Sequence, residues 1–443
     1  LKPYPVNRYL DPGIVHAVDL PPNCSKAPHG DFKNLRYAAD LVITEAAAGR
    51  GVGEGSVDAI WLNGENFFTL KQQDLLFGSF AEAIPNAGNF EFDAADPRSS
   101  LNLSDFGTAT NGAEVPWSGE QYVCAVNRAA MTLEQTPSTF AELQAYLTAH
   151  PGKFAYIKPP HYLGNTFVQE VLYAFNPDGT GAAPFQQSLD ALGAAELARL
   201  IKPGFDFLKA IEPLLLGGPQ GAVRYPEDAA AADGLFRNSE IDLNCGFGLY
   251  AVATKRADGS YPETTEEIIF PAGNMIKNKN YLAIPANTPN PAAALVFANY
   301  MASVEAQIGK LDLVGYPAGI DPWKLHPADA ARLEAVAPAH FGVTQEELDA
   351  NIAPDTNASL VKVVEAVWLD YIERGSEQSF DAIVAAAVAA QRGWVDAVLG
   401  VVERVDPTAN FLMPRYYDYQ AFFEYPVGER GEVVARVLGA GDR

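Results

Sequence analysis

Asn63, Glu65 and Asn66 place two amides and one carboxylate directly after the short apolar run 57–62. A carboxylate at the end of a buried strand can pair with a cation, and the same residues also suit a helix start capped by Asn66. Trp117 is the single large aromatic in a stretch, 107–119, of Gly, Thr, Asn and Pro. Its ring can stack on a flat or cationic molecule or plug a crossing between two lobes. Asn165 and Thr166 fall where a predicted helix begins, and free backbone N–H groups there suit an anion or a carbonyl as well as an ordinary cap. Phe247, between Gly246 and Gly248, reads as a pocket wall or as core. Asn274, Asn278 and Asn280 lie in a polar stretch between two predicted strands, as ligand-facing amides or as a plain turn.

Other chemistries find little support. The six histidines (His16, His29, His150, His161, His326 and His340) show no paired metal-ligand spacing, and His161 reads as a surface residue. The glycine-rich segment 49–55 lacks the Lys-Ser/Thr that would hold a phosphate and magnesium. Cys24, Cys124 and Cys245 are widely spaced and odd in number, so no disulfide framework is expected. Cys124, in an alternating apolar run, reads as a small core residue. No cofactor or metal is expected.

These residues need elements to position them, and the chain is long enough to supply two α/β lobes with 443 residues. Hydrophobic residues make up 48% and charged ones 19%, a globular balance. The net charge of −24 excludes the basic stripe that nucleic acid requires. No run of 18 apolar residues is present to span a membrane, and the first residues do not read as a signal peptide. Helical spacing is predicted over 34–48, 67–77, 166–175, 227–237 and 291–301, with a capping signal at Thr139 and Glu142. Strands are predicted at 57–62, 121–127, 154–157, 241–244, 268–270 and 281–284. Strand, polar loop, helix recurs, and open α/β sheets take ligands at such loops.

The run Val57-Asp58-Ala59-Ile60-Trp61-Leu62-Asn63-Gly64-Glu65-Asn66-Phe67 resembles the signature of YnjB-type solute-binding proteins of ABC importers. The likeness continues through Glu114-Val115-Pro116-Trp117, Thr136-Pro137-Ser138-Thr139-Phe140 and Gly164-Asn165-Thr166-Phe167-Val168. It goes on at Leu235-Phe236-Arg237-Asn238-Ser239-Glu240 and Tyr281-Leu282-Ala283-Ile284-Pro285, so the ordered set spans residues 37 to 374 or so.

The resemblance implies a type II periplasmic-binding-protein fold: two α/β lobes joined by crossing hinge strands, with a ligand cleft between them. It places 1–115 with 282–375 in lobe 1, 116–281 in lobe 2, and leaves 376–443 as a C-terminal extension of unknown role. The implied function is the substrate-binding component of an ABC importer, a periplasmic or otherwise extracytoplasmic monomer that performs no catalysis. Its implied partners are a small solute and a membrane permease. Glu65 with Trp117 favours a small organic cation, thiamine-like in kind. Two alternatives are a thiaminase-like enzyme on the same fold, with Cys245 as nucleophile, and a sensor or scaffold derived from a binding protein. The family's opening strand-loop-helix unit is not found in residues 1–36. In the extension, Tyr416 and Tyr417 resemble the phenolate pairs of ferric-binding proteins, but their place in the tail argues against iron.

Overall fold

The computed structural model describes residues 30–270 and 275–402. Eight strands lie among them: β1 (Ile60–Leu62), β2 (Ser104–Asp105), β3 (Thr108–Ala109), β4 (Glu114–Asn127), β5 (Leu243–Phe247), β6 (Thr265–Ile268), β7 (Met275–Ala283) and β8 (Ile352–Ala353). The chain divides into two compact units. Unit 1 contains Lys279–Ala337 and the described residues up to Gly119; unit 2 contains Glu120–Asn278 and Pro338–Trp394. Strands β4 and β7 each contain residues of both units.

In unit 1, β1 pairs antiparallel with β7, Ile60 opposite Ala283 and Leu62 opposite Tyr281. Helix Gly64–Gln72 follows β1 directly and buries Phe67 and Leu70. Trp61 packs on Trp117 with centroids 4.5 Å apart and on Phe297 at 6.0 Å. Helix Pro291–Met301 has the predicted bounds, because Pro291 fits the first turn, where its missing N–H has no partner to lose.

Unit 2 is built on β4. Its residues Tyr122–Val126 pair antiparallel with Leu243–Phe247 of β5, and Cys124–Asn127 with β6. Met275 and Ile276 of β7 run parallel to Ile352 and Ala353 of β8. The core joins Phe140, Phe154, Phe167, Phe205 and Trp368, with Phe140 set edge-on to Phe270 at 4.8 Å. In helix Phe140–Ala149 the Thr139 hydroxyl accepts from Glu142 N, while the Glu142 carboxylate reaches back to Ser138 rather than closing the box on Thr139.

Several expectations are corrected. Residues 154–157 are buried but form no strand: their neighbours supply single backbone bonds, such as Leu216 N to Phe154 O, and no ladder. The stretch holding Asn278 and Asn280 is strand β7, not a loop, because it pairs with β1 and β8. Residues 338–375, assigned to lobe 1 from the sequence, belong to unit 2, where helix Ala358–Trp368 buries Leu360, Val364 and Trp368 in the core. The extension assigned from residue 376 opens in the same way: Phe380, Ile383, Val384 and Val388 of helix Phe380–Val402 join that core. Asn274 and the Tyr416–Tyr417 pair lie outside the described residues.

Helix Tyr162–Ala174 is buried nearly all round, and Gly164 permits its entry. A Cβ there would sit 2.2 Å from the Ile157 carbonyl oxygen. Gly234 lies in helix Ala229–Arg237 with open space around it. Gly164→Ala should therefore destabilise by about 1–3 kcal/mol, while Gly234→Ala should stabilise by roughly 0.5–1 kcal/mol. Urea midpoints of the two variants test this, and equal midpoints would refute the crowding at Gly164.

Candidate functional site

In unit 1 the register of β1 on β7 brings Asn63 beside Asn280. Asn63 Nδ2 donates to Asn280 Oδ1 at 3.1 Å, and Asn280 Nδ2 donates to the Tyr316 hydroxyl at 3.4 Å. All three residues are half-buried. The Tyr316 ring stacks on Trp117, centroids 5.4 Å apart and planes 21° from parallel. Tyr316 was not nominated from sequence; Gly315, left-handed at φ 66° and ending helix Val304–Val314, is the local signal that the chain turns there.

The other nominated groups in unit 1 are engaged by the protein itself. Trp117 is only 1% exposed, and its ring meets Trp61, Tyr316 and the Lys310 ammonium, the last at 4.6 Å. Lys310 also donates to the Trp117 carbonyl. The cation–π face offered to an organic cation thus already carries a cation. Asn63, not Asn66, caps helix Gly64–Gln72, without a side-chain bond to it. The Asp105 carboxylate accepts from Gly64 N at 2.6 Å and supplies the negative charge that a helix start favours. Glu65 and Asn66 are buried in the first turn. Close by, Glu114 is fully buried, and burial with the nearby Asp105 pushes its carboxyl well above the ordinary range, with Lys71 opposing.

In unit 2 the helix begins four residues earlier than predicted, at Tyr162, with His161 as its cap. His161 is 3% exposed rather than on the surface, and its Nδ1 accepts from Leu163 N at 3.2 Å. Burial lowers its pKa to about 4, so the ring is neutral at physiological pH. Asn165 and Thr166 therefore lie past the start, and Asn165 N is spent on the His161 carbonyl. Asn165 Nδ2 donates to Glu365 at 2.7 Å, and the Thr166 hydroxyl donates back to the Tyr162 carbonyl. Phe247 is half-buried at the end of β5, edge-on to Tyr122 at 5.5 Å and nearly parallel to Tyr162 at 6.1 Å.

Cys124 and Cys245 face each other across β4 and β5 and form a disulfide, with Cα atoms 3.9 Å apart. The expectation of no disulfide is corrected: sequence spacing hides a pairing that the strand register creates. The buried Asp355 follows β8 and is hydrogen-bonded by Asn278, and burial raises its pKa to about 7. Glu170, whose carboxylate accepts from Ile276 N at 2.9 Å, is likewise raised by burial, with Asp355 adding to the shift. Among the described residues no group of three or more His, Cys, Asp or Glu is arranged to hold a metal.

Two α/β units that share strands β4 and β7 are the marks of a type II periplasmic-binding-protein fold. Residues 38–331 match the family described as bacterial extracellular solute-binding protein, and this chain belongs to that family. It is 33% identical over 369 residues to protein YnjB of Escherichia coli (strain K12), covering 82% of this chain and 87% of that protein. Among solved structures it resembles the sugar-binding protein MalE of Xanthomonas citri at a TM-score of 0.55 and 18% identity, over 84% of this chain and 90% of that one. It also resembles the bacterial solute receptor AcbH, described as preferring β-D-galactopyranose, at 0.53 and 14% identity, over 82% of this chain and 87% of that one. At such identities these two likenesses speak for the fold alone.

Asp355 gives a pH prediction. Unfolded, its carboxyl ionises in the ordinary range, near 3.8; folded, it keeps its proton up to about 7. Between those values the folded state binds the extra proton, so stability is fullest below the ordinary range and falls as pH rises towards neutrality. Urea midpoints should be higher at pH 5 than at pH 8, and Asp355→Asn should flatten the difference. An unchanged slope in that variant would remove Asp355 as the cause.

Proposed function

We propose that this protein is the substrate-binding component of an ABC importer, which captures a small solute and delivers it to a membrane permease. The observation that carries the reading is the family membership, supported by 33% identity across most of the chain to YnjB. On this reading the solute favours the conformation that binds it. Asn63, Asn280 and Tyr316 are the unit 1 contacts proposed, and Phe247 with Asn278 those of unit 2. The protein acts as a monomer in the periplasm or an equivalent extracytoplasmic space. The Cys124–Cys245 disulfide suits an oxidising compartment. Among the described residues no helix is long and apolar enough to cross a membrane.

The organic cation favoured by the sequence loses part of its basis, because Lys310 already lies over Trp117. The enzymatic alternative loses its nucleophile: a thiolate is needed for attack, and the Cys245 sulfur is bonded to that of Cys124. Iodoacetamide applied to unreduced, denatured protein should label neither Cys124 nor Cys245, and should label both after reduction. Labelling of Cys245 without reductant would return the cysteine-enzyme reading to contention.

Native mass spectrometry of the purified protein tests the binding role. A stoichiometric small molecule, released on unfolding, is the expected result. Protein that carries none, and whose melting temperature no sugar, amino acid, polyamine or oxyanion raises, would refute solute capture.

A further inference from the structure

Three side chains with no part in the proposed solute contacts meet in the interior of unit 1. Lys279 Nζ donates to Asn102 Oδ1 at 2.6 Å and to Asp321 Oδ1 at 2.8 Å, while Asn102 Nδ2 donates to Asp321 Oδ2 at 2.7 Å. An amine, an amide and a carboxylate thus form a closed triangle. Asn102 is 0%, Asp321 3% and Lys279 7% exposed. The buried Phe90 lies beside them, its ring centroid 5.9 Å from Lys279 Nζ.

Each corner of the triangle is fixed by a different part of the fold. Asn102 belongs to the short helix Ser100–Leu103; its carbonyl accepts from the Thr110 hydroxyl at 3.0 Å, and its Nδ2 also donates to the Glu91 carbonyl at 2.8 Å. Asp321 Oδ2 accepts from Glu91 N at 2.8 Å, and Asp321 N donates to the Asn89 carbonyl at 2.9 Å. Lys279 lies in β7 and also donates to the Gly319 carbonyl at 3.0 Å. Two residues further along β7 the Tyr281 hydroxyl donates to the Leu101 carbonyl, which holds the strand against the helix that carries Asn102.

A plain ion pair would need only Lys279 and Asp321. The amide adds an electrophilic carbon, Asn102 Cγ, one bond beyond the oxygen that Lys279 Nζ already touches, and the fold holds nucleophile and electrophile together in place of a chance encounter. We propose that Lys279 and Asn102 condense to an isopeptide bond, with Asp321 as the proton carrier. The Lys279 ammonium passes one proton to Asp321, which leaves both groups neutral in a dry interior where charge is costly. Nζ then attacks Cγ and forms the new C–N bond. Collapse of the tetrahedral adduct breaks the Cγ–Nδ2 bond; Asp321 gives its proton to Nδ2 and takes one from Nζ. Nδ2 leaves as ammonia, which carries that last proton away as ammonium and regenerates the carboxylate. The reaction needs no oxidant, reductant or second reactant. It joins residues 177 positions apart, and so ties together the two chain segments of unit 1 with a cross-link that restricts the unfolded chain as a disulfide does but resists reduction. The proposal stands apart from solute capture.

Mass spectrometry of the full chain, with its disulfide reduced, tests it. The expected mass is lower than that of the sequence by one ammonia, and a tryptic digest should contain the peptide holding Asn102 joined to one holding an uncleaved Lys279. Asp321→Asn should show the full mass of its own sequence and no joined peptide. Lys279→Arg, which keeps the cation and removes the amine, should do the same. The digest separates the isopeptide from ammonia lost by ring closure at Asn63-Gly64 or Asn111-Gly112, which joins no peptides. Wild-type protein whose Asn102 and Lys279 peptides are recovered unlinked overturns the bond and leaves a static ion pair. A link that persists in Asp321→Asn overturns the role given to Asp321. Should that variant fail to fold, the wild-type digest still decides whether the bond exists.

Discussion

Strand β4 is the constraint on which the described structure most depends. Thirteen of its fourteen residues are buried, so its backbone donors and acceptors must find partners in neighbouring chain rather than in water. Those partners are β7 in the sheet order and β5 and β6 in unit 2, and the register with β5 and β6 decides what lies beside what. Cys124 meets Cys245, and Tyr122 meets Phe247, because side-chain faces alternate along paired strands and a slip of one residue would exchange them. At its other end β4 carries Glu114 and Trp117 into the interior of unit 1.

A second theme is self-satisfaction. Helix starts and aromatic faces are attractive to ligands in principle, yet here the protein often occupies them with its own groups. Asp105 serves the start of helix Gly64–Gln72, His161 that of helix Tyr162–Ala174, and Lys310 the face of Trp117. Each arrangement removes the desolvation penalty that an unmatched buried polar group would carry. The half-buried residues Asn63, Asn280, Tyr316, Tyr162 and Phe247 differ in that part of each still meets solvent.

The buried acids have a different consequence. Glu114, Glu170 and Asp355 are each raised by burial, and none has an ion pair with a basic side chain among the described residues. Lys71 only moderates Glu114 through its field. An uncompensated buried carboxylate is costly, and holding the proton is the less costly state.

Because apolar periodicity, capping residues and an ordered series of short motifs are local properties, the sequence by itself determined the α/β class, several helices and the family, but not helices Leu189–Ile211 and Ala358–Trp368. It located helix Pro291–Met301 at its bounds and nominated Asn63, Asn280 and Phe247, which the structure shows to be half-buried. Only the tertiary structure decided which groups meet. The Cys124–Cys245 bond joins residues 121 positions apart, and the Asn63–Asn280 hydrogen bond joins residues 217 apart. Lys310 reaches Trp117 across 193 positions, and Asn278 reaches Asp355 across a shorter gap. Strand register sets such meetings, and register depends on long-range pairing and burial that no local window of sequence contains.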